Sequence, residues 1–337
     1  MLDKYLLCRP RGGLNDTLCQ IEKCWKYAEL HNRTLIIDTS RSGIMLQYSA
    51  FFAPFDGGQV LDIDASRLAD SDLNAMECYP PTIRGRINSY RTSRSVSRRL
   101  RDIDSKAELS FDFSLDHREQ LLVHEQAGGG HLSFDFLRRV RFADDIATDI
   151  RHALKSLGAS DAAIHLRNTD AKTSVRSILK KVKRELLGLR VLICTDDAAT
   201  ISIARETLNA SQIVTASTIV RADGKPLHFR QAYSNDDQRR QATLNSLTDL
   251  CALASADRLY IAQLSRGNYS GFAELAAFLA QNRDVLDRLL GRQDGANARP
   301  PGIVVRIESS PFLAFILRRT RRILSRLRRV HFRRFRK

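Results

Sequence analysis

The amino-acid sequence predicts an α/β protein of two doubly wound, Rossmann-like domains followed by a basic amphipathic C-terminal helix. Three observations carry this. Short apolar runs alternate with stretches of helical period in both halves of the chain. A Pro/Gly turn, Arg9–Asn15, separates the first strand from the first helix. The composition then changes abruptly at the end, where Arg318–Lys337 holds eleven Arg or Lys and no acid.

Taken in order, Lys4–Cys8 is a short apolar strand, and Thr17–His31 is a helix with Leu18, Ile21, Trp25 and Ala28 at three- or four-residue spacing. Thr34–Asp38 is the second strand, so the chain opens with a βαβ unit and a parallel sheet. No period dominates from Ser40 to about Ala127. There the basic run Arg91–Arg101 reads as a solvated helix face or a loop, and Gly128–Gly130 as a hinge or loop. The second half alternates regularly. It gives helix Ile146–Leu157, strand Ala162–Leu166, basic amphipathic helix Ser174–Leu187, strand Arg190–Cys194 and helix Ala198–Leu208. Strand Gln212–Ala216, helix Thr243–Ala256, strand Arg258–Ile261 and helix Tyr269–Gln281 follow. The expected domains are residues 1–143 and 144–291, then a linker over 292–310 and a basic segment over 311–337.

A chain of 337 residues exceeds one ordinary core, and 43% hydrophobic residues suffice for two. The formal charge is +16, of which the last twenty residues supply eleven, leaving +5 for residues 1–317. So localised an excess argues against nucleic acid as the partner. The six cysteines form no C-x-x-C pair and read as small buried hydrophobes of a reducing compartment. No apolar signal region opens the sequence and no stretch reaches membrane-span length, so a cytoplasmic location is expected.

Four segments fall at the ends of expected strands, where α/β sheets place ligands. Arg9-Pro10-Arg11-Gly12-Gly13-Leu14-Asn15-Asp16 offers a close backbone approach and a helix start, or a tight turn capped by Asn15 or Asp16. Ile164-His165-Leu166-Arg167-Asn168-Thr169-Asp170 delivers an arginine able to fork a phosphate, or an Arg167–Asp170 ion pair. Thr195-Asp196-Asp197 caps the next helix or faces a ligand. Asp249 lies in a largely apolar helix, and Ser265–Ser270 is a small-residue turn before another helix.

Together these segments resemble the GT-B fucosyltransferase superfamily, which includes the rhizobial nodulation and mammalian α1,6-fucosyltransferases and the protein O-fucosyltransferases. GGLN followed by a helix and NRTLIID is similar to the plant-type members. HLRNTD is similar to the H-x-R-R-T-D strand end of the α1,6-type enzymes. Strand-T-D-D, then Asp before S-x-A-D and the LSRGN turn, follow in the same order. The likeness covers residues 5–40 and 160–280. It implies two Rossmann-like domains facing a cleft and transfer of fucose from GDP-fucose, or another nucleotide diphosphate sugar, with inversion. It further implies that Arg167 holds the β-phosphate, that His165 and Asp249 lie near the base, and that Thr195 and Asp196 belong to the donor site. Asn15 with Gly12 and Gly13 would close over the donor, and Ser265, Asn268 and Ser270 would lie by the diphosphate. Two positions depart from the α1,6-type pattern. Asn168 stands for a second arginine, and Val175 occupies the approximate place of a glutamate that is the candidate base there. Asp170 is then an alternative base.

No metal ligands and no cofactor are expected. The strings Asp62-Ile63-Asp64 and Asp102-Ile103-Asp104 read as surface acids. In the last segment Ile316, Ile323, Leu327 and Val330 form a stripe among arginines, as in helices lying on anionic membranes; a disordered basic tail and nucleic-acid contact are the other readings. The sequence thus predicts a metal-independent transferase, peripheral on the inner face of the cytoplasmic membrane through residues 311–337. Its acceptor would be a glycan or lipid-linked oligosaccharide. A non-catalytic nucleotide-sugar or glycan-binding relative is the alternative, and a nucleic-acid-binding protein a third.

Overall fold

The computed structural model describes residues 3–55, 60–62, 70–95, 99–169, 173–218, 233–292 and 300–308. The chain divides into two compact units. One is Met1–His152 with Leu227–Leu247 and Asp284–Ala298; the other is Ala153–Pro226 with Thr248–Arg283 and Arg299–Lys337. The basic segment 311–337 and Asp170 lie outside the described residues.

The first unit contains strands β1 (Tyr5–Cys8), β2 (Thr34–Ile37), β3 (Phe52–Pro54), β4 (Val60–Asp62), β5 (Cys78–Tyr79), β6 (Thr92–Arg94), β7 (Leu100–Asp102), β8 (Leu121–His124) and β9 (Val140–Phe142). Its helices are α1 (Leu14–Leu30), α2 (Asp70–Ala75), α3 (Leu132–Arg139) and most of α4 (Asp144–Leu157). The sheet runs β4-β2-β1-β8-β5, parallel throughout. Leu7, Ile36, Leu121 and Val123 bury one face against Leu73, Ile83 and Leu109. Burial on both sides explains why these strands read as continuous apolar runs rather than alternating ones. α1 starts at Leu14, earlier than the apolar spacing predicts, because its first turn is held by polar groups. Thr17 donates to the Gly13 carbonyl at 3.0 Å, and the Asp16 carboxylate accepts the Gly13 N–H at 3.2 Å.

The second unit contains β10 (Ala162–Leu166), α5 (Val175–Val182), β11 (Arg190–Thr195), α6 (Ala198–Thr207), β12 (Gln212–Val214), the last residues of α7 (Asp236–Ser255), β13 (Arg258–Ala262), α8 (Gly271–Gln281) and β14 (Ile303–Ile307). A short α9 (Arg283–Leu289) falls almost wholly in the first unit. The second sheet runs β12-β11-β10-β13-β14, again parallel. Ile164, Leu166, Ile193 and Tyr260 face α5 and α6, packing on Ile178, Leu179, Ala204 and Leu208.

Four expectations change. Residues 303–307, placed in a linker, form β14 beside β13, since IVVRI is a β-branched run hidden behind Pro-Pro-Gly. The basic run 91–101, read as a helix face or a loop, contributes the antiparallel pair of β6 and β7, with Thr92 opposite Asp102 and Arg94 opposite Leu100. α7 begins at Asp236, where Asn235 accepts the Gln238 N–H and Gln238 accepts the Ser234 N–H, both at 2.9 Å. The first division falls after His152 instead of residue 143. Within the first unit Arg240 pairs with Asp145 at 2.6 Å and Arg151 donates to the Leu290 carbonyl, contacts between distant residues that periodicity cannot report.

The turn between β1 and α1 is closed by a third glycine that sequence reasoning passed over. A Cβ on Gly43 would lie 2.8 Å from the Gly13 carbonyl carbon and 2.9 Å from the Leu14 nitrogen, both backbone atoms. Gly43→Ala is therefore expected to destabilise the protein by about 1–3 kcal/mol, read as a lower urea midpoint; an unchanged midpoint contradicts this packing.

Candidate functional site

In the second unit the strand order reverses between β10 and β13, and the loops after these strands flank that switch point. His165, one residue before the end of β10, lies on the face it shares with its ladder neighbours Cys194 and Ile261. Its ring lies 5.2 Å from that of Phe272, and Nδ1 is 3.5 Å from Ser270 Oγ, across the switch point. Burial, reinforced by Arg167, pulls His165 down to about 3, so the imidazole is neutral. Ser270 is the N-cap of α8 and accepts the Ala273 N–H at 3.1 Å. The preceding turn is drawn tight by Leu264 N–H to the Asn268 carbonyl and by Gly267 N–H to the Leu264 carbonyl, both 2.8 Å, with Gly267 at φ +80°. Ser265 and Asn268 are exposed on this turn, while Ser270 is buried.

Arg167 follows β10, half-buried, with Nε 3.9 Å from Asp196 Oδ2. Asp196 follows β11 and also accepts the Asn168 N–H at 2.7 Å and the Thr169 hydroxyl. Asp197 caps α6. It takes the Ala199 N–H at 3.2 Å, the Thr200 hydroxyl at 2.9 Å and the Asn168 amide at 2.8 Å. Burial opposes its ionisation, but these donors win and hold its carboxyl below the usual range. Thr195 is buried and accepts the Asp197 N–H at 3.2 Å. The two acids thus divide their work: Asp197 caps the helix, and Asp196 carries the Arg167 loop.

Asp249, on α7, accepts the Cys194 thiol at its backbone carbonyl, 3.9 Å away. Cys194 is the ladder partner of His165, so Asp249 approaches the His165 face of the sheet one strand away. Burial pushes its carboxyl up to about 7, with Ser217 and Cys194 acting in the opposite direction.

In the first unit the switch point lies between β1 and β8, and residues after three adjacent strands are cross-linked there. Arg9, after β1, is buried. It donates to Asp38 after β2 at 2.9 Å, to Tyr90 at 3.1 Å, to Asn88 at 2.6 Å and to the Ile87 carbonyl. Tyr90 donates to the buried Glu125, after β8, at 2.6 Å, and Arg11 donates to Glu125 at 2.7 Å. Burial works against the Asp38 carboxylate, but Arg9 and Ser40 hold it low.

Asn15 stands apart from this cluster and is held by the segment that follows β8. Its amide donates to Ser133 Oγ at 2.8 Å and to the Gly130 carbonyl at 3.3 Å, and its carbonyl accepts the Gly130 N–H at 3.0 Å. Gln20 donates to the Gly128 carbonyl at 2.5 Å, so the triple-glycine segment is a loop tied to α1. A Cβ on Gly129 would sit 2.2 Å from Asn15 Oδ1, which is why that position is glycine.

Sequence reasoning missed Asp38, Glu125 and Tyr90. A charged residue directly after an apolar run, as in TLIID and LLVHE, was the available signal. Of the two D-x-D strings, Asp102-Ile103-Asp104 is not a pair of surface acids. Asp102 is buried and bonded by Arg86 and Ser105, and Asp104 pairs with Arg86 at 2.6 Å. Among the described residues no cluster of three or more His, Cys, Asp or Glu is placed to hold a metal ion.

The raised Asp249 carboxyl has a consequence for stability. Between its unfolded value near 4 and its folded value near 7 the native state holds the extra proton, so stability from this group falls as pH rises through that window. Asp249→Asn removes the cost of ionisation. The melting temperature of the variant relative to wild type is expected to rise by roughly 2–4 °C between pH 5 and pH 8; a constant difference contradicts the assignment.

No protein family matches the chain by sequence, and no curated protein does. Solved structures do. The fucosyltransferase NodZ from Bradyrhizobium aligns with a TM-score of 0.54 at 18% identity, over 82% of this chain and 93% of that one. NodZ alpha-1,6-fucosyltransferase soaked with GDP-fucose gives 0.54 at 16% identity, over 82% and 92%. POFUT1 in complex with GDP-fucose gives 0.51 at 12% identity, over 90% and 98%. At these identities the likeness is one of fold, and the chain has the α/β fold of the GT-B fucosyltransferases.

Proposed function

We propose that this protein is a glycosyltransferase that moves fucose from GDP-fucose to a hydroxyl of a glycan or lipid-linked acceptor, with inversion and without a metal. The observation that carries the reading is Arg167. It emerges at the switch point of the second sheet beside neutral His165 and the Ser270-capped start of α8, in a fold shared with structures bound to GDP-fucose. In the proposed reaction the acceptor oxygen attacks the sugar carbon from the face opposite the nucleotide. The bond from that carbon to the β-phosphate oxygen breaks, GDP leaves with the electron pair, and the acceptor proton passes to a base, for which Asp170 is the candidate. The guanidinium of Arg167 and the α8 N-terminus offset the charge that builds on the diphosphate. Asp249 and His165 lie on one sheet face and supply polar edges for the base of the nucleotide. Residues 311–337 hold the enzyme on the inner face of the cytoplasmic membrane.

A second reading, a non-catalytic nucleotide-sugar-binding relative, is favoured by Asn168. Its amide is committed to Asp197, so this loop presents one guanidinium where the α1,6-type pattern has two arginines.

Arg167→Ala is expected to lower turnover of GDP-fucose by a factor on the order of 10²–10³ with an unchanged melting temperature. Arg167→Lys is also expected to be poor, because an ammonium cannot fork two oxygens. Wild-type turnover in the alanine variant rejects the site. Wild-type protein that binds GDP-fucose yet transfers to no acceptor favours the second reading.

Chelation separates metal-free from metal-assisted transfer. With EDTA, GDP binding by calorimetry and any turnover are expected to stay within about twofold of the untreated protein, since Arg167 and a helix terminus supply the positive charge. Activity lost to EDTA and restored by manganese contradicts the metal-free reading.

A further inference from the structure

The helix α5 and the turn after it carry a charge pattern for which the transfer site has no use. Val175, Ile178, Leu179 and Val182 are buried against the second sheet, so the helix is fixed in orientation. The outward face presents Lys180, Lys181, Lys183 and Arg184, all exposed, while Arg176 on the same helix pairs with Glu206 at 2.9 Å. The one acid in Val175–Gly188, Glu185, is exposed and accepts the Tyr260 hydroxyl at 2.8 Å. Leu187, a large apolar side chain, is 63% exposed beside these cations. A solvated helix face does not need an apolar tip beside an excess of cations.

The end of the folded chain meets this same surface. Lys181 Nζ donates to the carbonyl of Glu308, the last described residue. The chain continues from that point into the segment with eleven basic residues between Arg318 and Lys337. The last described residue of the chain therefore lies beside α5. We propose that the outward face of α5, with Leu187, is a docking surface for an anionic lipid bilayer and fixes the second unit against the membrane next to the point where the C-terminal segment departs. This rests on the membrane reading above and adds a folded, oriented contact to it. Lysine and arginine heads lie at headgroup level while Leu187 enters the acyl boundary, as on interfacial amphipathic helices.

Each basic residue brought to an anionic surface is worth roughly fivefold in partition. The full chain with Lys180→Gln, Lys183→Gln and Arg184→Gln combined is tested by flotation with vesicles of phosphatidylcholine, with and without phosphatidylserine. Partition onto the anionic vesicles is expected to fall on the order of tenfold to hundredfold at an unchanged melting temperature. Arginine at the two lysine positions, with Arg184 kept, is expected to retain it. Leu187→Gln is expected to weaken partition a few fold and, unlike the charge variants, to do so also at high salt. A parallel variant with Arg318, Arg319, Arg321 and Arg322 changed to Gln separates the two contacts. If that variant loses flotation while the α5 variant floats like wild type, the α5 proposal fails and the membrane reading stands. If wild type does not float with anionic vesicles, both fail. If the α5 variant loses affinity for single-stranded RNA but not for vesicles, the surface serves nucleic acid and the proposal is overturned.

Discussion

A parallel strand buried on both faces must end inside the protein, and the polar groups exposed where it ends need partners that no neighbouring strand supplies. This constraint shapes the carboxyl edge of both sheets. In the first unit the residues directly after β1, β2 and β8 are Arg9, Asp38 and Glu125, and they satisfy one another through a 2.9 Å ion pair and the bridging Tyr90 hydroxyl. In the second unit the residues after β10 and β11 are Arg167 and Asp196, so an arginine and an aspartate again stand at the ends of adjacent strands. The local solution is the same; its tightness is not.

That difference sets what each edge can do. Arg9 is enclosed by four acceptors, and removing one partner of such a buried pair costs about 3–5 kcal/mol, so this arginine holds the first sheet together. Arg167 stands 3.9 Å from a carboxylate whose oxygens already accept the Asn168 N–H and the Thr169 hydroxyl, and it is more exposed. An ion pair of that length and exposure contributes little to stability. An anion that forked the guanidinium would leave the Asp196 carboxylate its two other donors, the Asn168 N–H and the Thr169 hydroxyl.

Much of this was legible in the sequence, for reasons that can be traced to particular elements. β1, α1, β2 and the run from β10 to α8 follow clear periods, and HLRNTD and TDD fall at strand ends because a polar residue after four or five apolar ones is where a buried strand stops. What stayed hidden depends on distant contacts. β5 and β8 are short strands whose pairing to one another and to β1 involves residues up to more than a hundred positions apart. The clamp of Asn15 on Gly130 looks in sequence like two unrelated loops, and the helix starts at Leu14 and Asp236 are made by polar side chains without apolar period. β14 was masked by the Pro-Pro-Gly before it. In each case local composition pointed one way and a long-range partner decided the outcome.

The clamp also accounts for the two glycine motifs together. Gly12-Gly13 and Gly128-Gly129-Gly130 follow β1 and β8, the two strands that flank the first switch point, and each must let another backbone or amide come close. Gly12 has φ +99° with Asp16 folded against it, Gly43 packs on the Gly13 carbonyl, and Gly129 leaves room for the Asn15 amide. Side chains at these positions would separate α1 from the segment leading into α3. The aromatic contacts of Trp25 with Phe136, at 6.5 Å, and the 3.1 Å Arg139–Glu22 pair join the same two helices further along. Reading the glycines only as ligand cradles therefore misses their first role. They set the spacing at which α1 and α3 pack, and any donor contact made by this turn is made by a backbone already held in place from within its own unit.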